Sequence, residues 1–160
     1  MNRIDAINDL PSVPAVYALM GGQGNRAYVA YVGIAGKLKG RINQHLVRRD
    51  SSVTTGTTAT SINPDHITQV KWWEADEFID EDCLHAAEVL AIQVLDPALR
   101  SRGKVRAKAK QLLEDPKFDE RFRAVFQGAA TGELLVPTLA SALERIAELE
   151  KLLGELDAGS

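Results

Sequence analysis

The sequence holds a single cysteine, Cys83, among its 160 residues. A lone thiol excludes an internal disulfide and any cysteine-cluster zinc site, and it fits the reducing cytoplasm. Long apolar runs are also missing. The longest, Ala86–Leu95, is interrupted by Glu88 and Gln93 and is too short to span a bilayer, so no membrane partner is expected. Met1–Leu10 carries Asp5 and Asp9 and no apolar stretch, so no signal peptide is expected. Nor is positive charge in excess: 19 Lys and Arg stand against 22 Asp and Glu, a net charge of −3. That balance argues against a polyanionic partner until the distribution is considered. Residues 1–50 hold seven basic and three acidic side chains (+4), and residues 97–128 hold nine and four (+5). Residues 51–96 hold one and nine (−8), and residues 129–160 hold two and six (−4). Phosphate binding needs a basic face, not a basic average, although solvated helix faces give the same pattern.

What is present suits a globular chain. Hydrophobic content of 45% and charged content of 26% exclude general disorder and allow one packed domain with an extension. Ile4, Ile7 and Leu10 have helical spacing, ended by Pro11 and Pro14. Ala15–Leu19 and Tyr28–Val32 read as strands on either side of a glycine-rich turn, close enough to be antiparallel. Leu38, Ile42, His45 and Leu46 predict a helix over Lys37–Arg49. Ser51–Asn63 is polar and without periodicity, which reads as a mobile loop. His66–Glu74 reads as a third strand, with one of Trp72 and Trp73 packed inward and the other outward. Asp80–Asp82 begin a helix that runs to Pro97. A basic connector, Arg100–Lys110, leads into a helix ending near Gln127, and a last helix follows Pro137. In that last helix Leu139, Ala142, Ile146, Leu149, Leu153 and Leu156 fit heptad a and d positions.

The tyrosine triplets Ala15-Val16-Tyr17 and Tyr31-Val32-Gly33, then Arg41 with His45 one turn later, then Glu88 on the acidic-start helix, resemble the GIY-YIG nuclease domain. The likeness runs from about Asp9 to Lys104 and includes the continuous stretch YVGIAGKLKGRINQHL. It implies an α+β fold over residues 1–105, a small three-stranded antiparallel sheet flanked by helices; residues 106–160 read as a helical extension by their own pattern. It implies a metal-dependent endonuclease acting on nucleic acid, DNA first. Tyr17, Tyr31, Arg41, His45 and Glu88 would be catalytic, with Glu88 the ligand of Mg²⁺ or Mn²⁺, hard ions that prefer carboxylate and water oxygens.

Each role has a physical basis and a plainer alternative. Arg41 would meet the anionic phosphate, or sit solvated on its helix. His45, four residues on, shares the face of Arg41 and would assist proton transfer, or lie on the surface. A tyrosine, with an ordinary pKa of about 10, needs its phenolate stabilised before it can take a proton from water. The resemblance favours Tyr17 for that step and Tyr31 for positioning; either alone fits a core tyrosine. Gly33 would allow close approach of the strand end, with Lys37, Lys39, Arg100, Arg102 and Lys104 on the substrate. Arg100 stands where the family often has an Asn that stitches the site's backbone. A different class of function is a nucleic-acid-binding module that keeps the fold, has little or no turnover, and forms a homodimer through residues 138–156. His85, three residues before Glu88, offers a thin case for a second metal ligand.

Overall fold

The computed structural model describes residues 2–48, 63–100 and 103–158, together with the backbone of 52–55 and 58–61. In chain order the elements are α1 (Arg3–Asn8), β1 (Ala15–Gly21), β2 (Tyr28–Ala35), α2 (Leu38–Asn43), β3 (Ser52–Thr55), β4 (Thr58–Ser61) and β5 (Ile67–Trp73). They continue with α3 (Glu81–Leu95), α4 (Ala107–Glu114), α5 (Pro116–Gln127), β6 (Gly132–Leu135) and α6 (Leu139–Ala158).

The main sheet has four antiparallel strands in the order β2-β1-β5-β6. This corrects the expected three-stranded sheet. The extra strand, β6, comes from the extension and pairs Gly132–Leu135 with Gln69–Trp72 of β5. Without it β5 would present an open edge. Four residues with two adjacent leucines give no period to read, and Gly132 looks like a helix breaker. Its lack of a side chain has a local cause: a Cβ there would lie 2.1 Å from the Trp72 ring.

β1 lies at the centre and is apolar throughout because both its faces are covered. Tyr17 and Leu19 point to a core shared with α1 and α2, through Ile7, Leu38 and Ile42. Val16 and Ala18 point to a second core with α3 and α5, through Leu84, Leu90, Phe122 and Phe126. Trp73 is buried in that second core, and Trp72 is half-buried against the first. Val16 and Ala18, before position 105, and Phe122 and Phe126, after it, lie together in that second core.

Two local expectations change. Ser51–Asn63 was expected as a loop, yet β3 and β4 form an antiparallel hairpin within it. β-Branched threonines favour extended backbone even where no apolar alternation marks a strand. The helix expected to reach Gln127 is broken into α4 and α5 at Asp115-Pro116. Asp115 caps α5 and Pro116 opens it, a position where the missing N–H costs nothing.

Candidate active site

The first turns of the site come from β1 and β2. Tyr17 pairs across the ladder with Gly33, and Tyr31 lies two residues earlier on the same face. A Cβ on Gly33 would stand 2.7 Å from the Tyr17 hydroxyl and 2.8 Å from the edge of the Tyr31 ring. Glycine is what allows two phenols to share that face.

α2 then delivers Arg41, and the helix widens to π geometry over Gln44–Arg48, which carries His45. Such widened turns often re-aim a functional side chain. His45 is buried, and its Nε2 lies 2.7 Å from the Tyr17 hydroxyl. The Tyr31 ring completes a triangle, with centroids 6.2 Å from Tyr17 and 5.8 Å from His45. The Arg41 guanidinium donates to Gln44 Oε1 at 3.0 Å. Gln44 is a positioning residue that sequence reading missed; only its spacing of three from Arg41 could have marked it.

A cavity of about 290 Å³ wraps the outer edge of β2, where α2 and α3 meet it from opposite faces of the sheet. Tyr31, Arg41, Glu88 and Lys104 line it, with His85 beside Glu88 and Ile34, Val89 and Ile92 as its apolar wall. Tyr17 and His45 stand behind Tyr31 and do not line it. The five residues of the expected catalytic set thus converge in two layers.

Electrostatics follow from this layering. Glu88, with its side chain 18% exposed, is pushed up to about 7 by burial, against a smaller opposing pull from Arg41. Burial raises Tyr31 above the ordinary tyrosine range, the Glu88 charge adds to this, and Arg41 works against it. Tyr17, wholly buried, is held far higher by burial and then by Tyr31, again opposed by Arg41. Both phenols are neutral at pH 7 in this state.

Other expected residues lie elsewhere. Lys37 is exposed at the start of α2 and Lys39 half-buried on it, and neither lines the cavity. Arg100 is exposed and ion-paired with Asp96. Arg102 lies outside the described residues. Main chain ties this segment to β2: Asp96 turns the chain with a φ of 47°, and Ala98 and Leu99 N–H then bond Val29 and Ala30 carbonyls at 2.9 and 3.0 Å.

Among the described residues no group of three or more His, Cys, Asp or Glu could hold a metal ion. One buried carboxyl facing a cavity nonetheless fits a Mg²⁺ or Mn²⁺ that keeps several waters and takes phosphate oxygens. Burial disfavours the Glu88 anion, and a dication beside it would restore it. The His85 Nδ1 lies 3.9 Å from Glu88 Oε2, close enough to share a cavity wall without forming a chelate. No described helix is long and apolar enough to cross a membrane. Compared with family models, with curated proteins and with solved structures, the chain has no match.

Proposed function

We propose that this chain is a metal-dependent endonuclease of GIY-YIG type that hydrolyses the phosphodiester backbone of nucleic acid, DNA first. One observation carries the reading. Tyr31, Arg41 and Glu88, from three separate elements, line one cavity with Tyr17 and His45 directly behind.

Glu88 would hold Mg²⁺ or Mn²⁺, which when bound supplies Lewis-acid polarisation of the phosphate and charge for the leaving oxygen. Arg41, fixed by Gln44, directs its donors to the phosphate as its charge grows in the transition state. Tyr31 is the phenol that lines the cavity, so it is the proposed base: its hydroxyl proton is first lost to solvent through the cavity, and the phenolate oxygen then accepts the proton of the attacking water. Two effects hold that phenol up, burial and the Glu88 charge; neutralising Glu88 removes the second, while Arg41 opposes both. Tyr17 and His45, bonded to each other, hold the Tyr31 ring from behind. Lys104 at the cavity adds attraction for phosphate.

The test is cleavage of plasmid, single-stranded, flap and branched substrates, DNA and RNA, with Mg²⁺ or Mn²⁺. Glu88→Gln and Arg41→Ala should each lower the rate roughly 100-fold or more. Wild-type protein that cuts no substrate, or a Glu88→Gln variant that cuts as well, sinks the proposal. Salt-sensitive binding without cleavage would instead favour the binding-module reading, whose support is Arg100 standing where the family often has an Asn.

A further inference from the structure

α6 is 20 residues long and buries none of them against the rest of the chain. Seven of its apolar side chains, from Leu139 to Leu156, are between 44% and 74% exposed. So large an exposed apolar stripe marks a surface suited to docking another helix.

The helix itself identifies that occupant. Leu139, Ala142, Ile146, Leu149, Leu153 and Leu156 alternate spacings of three and four, the a and d seam of a left-handed coiled coil. A seam of that period fits another helix of the same period. The charge on α6 argues against the alternatives: Arg145 and Lys151 stand against Glu144, Glu148, Glu150, Glu155 and Asp157, or 2 − 5 = −3. A helix with that surplus repels nucleic acid and anionic lipid.

The flanking positions set the orientation. With Ile146 at a, Arg145 falls at g and Glu150 at the following e. In a parallel pair each g residue faces the next e residue of the partner helix, so the symmetric dimer gains two Arg–Glu contacts. In an antiparallel pair with the seams fully overlapped, Arg145 faces Leu152 and Glu150 faces Leu143, so neither gains an opposite charge from the partner helix, and Arg145 keeps only its own-helix ion pair with Glu148.

We infer that α6 pairs with α6 of a second copy as a short parallel coiled coil, bringing two copies of the cavity into one particle. This does not depend on the reading of the cavity. The seam is brief, and burying it removes on the order of 1,000 Å² from water, at the lower edge of a specific interface, so the dimer should be micromolar.

Sedimentation of the full chain from about 1 to about 300 µM tests it, with a dimer expected to fill over that range. Arg145→Glu and Glu150→Arg should each weaken association about tenfold by turning both contacts repulsive, and the double exchange should restore it. Ile146→Lys with Leu149→Lys should give a monomer whose near-ultraviolet circular dichroism matches wild type, showing the body still folded. A wild-type monomer at the highest concentration overturns the proposal. A dimer indifferent to both single charge reversals overturns the parallel arrangement.

Discussion

A methyl group on Gly33 would press on the Tyr17 hydroxyl and the Tyr31 ring, both on buried side chains. Gly33→Ala should therefore cost about 1–3 kcal/mol of stability. It should also disturb the Tyr17–His45 bond, since the clash falls on its oxygen. Urea unfolding measures the first effect; an unchanged midpoint would mean the phenols do not share that face. Glu88 makes a prediction with a definite sign. Its folded pKa is raised from 4.5 to about 7, so the native state binds the proton more tightly than the unfolded chain. The stabilisation is complete below about pH 4.5 and is lost as pH rises through about 7, at most about 3 kcal/mol in all. Glu88→Gln should remove that slope, leaving the variant more stable than wild type at pH 8 without metal. Unfolding curves for both proteins at pH 5 and pH 8 check it, and parallel pH dependences would refute it. Tightness of Mg²⁺ or Mn²⁺ should follow the same titration in the opposite sense, strengthening as pH rises toward about 7, because the ion competes with the proton.

The extension divides into parts with opposite energetic roles. Phe122 of α5 is wholly buried between Phe78, Phe118 and Phe126, so Phe122→Ala should cost about 3–5 kcal/mol. β6 protects the edge of β5, and its Gly132 lies too close to Trp72 for any side chain. α6 buries nothing in the body, so ending the chain after Thr138 should move the Tm of dilute protein by only about 2 °C or less. Differential scanning calorimetry separates these cases. A large loss of Tm on removing α6 would mean that the helix packs on its own chain.

Two basic blocks flank an acidic one, and the fold brings Arg41 from the first and Lys104 from the second to one cavity. Nucleic-acid affinity should then fall linearly with the logarithm of salt concentration, and Lys104→Ala should reduce that slope by about one phosphate contact. Fluorescence anisotropy across a salt series measures it; a flat dependence would remove the backbone from the partner's recognised features. Much of this molecule was legible beforehand. β1 shows as an apolar run because its neighbours cover both faces, and α3 shows by its Asp80 cap and the Pro97 that follows. Tyr17, Tyr31, Arg41, His45 and Glu88 stood out by type and order along the chain. Local propensity and capping determine the two elements, since each acts within a few residues, whereas the five side chains stood out as a set only through the resemblance. The tertiary structure alone decided that β6 closes the sheet, that Tyr31 faces the cavity while Tyr17 stands behind it, and that the Glu88 carboxyl titrates near neutrality. Edge pairing and desolvation depend on groups distant in sequence, so no pattern within one segment encodes them.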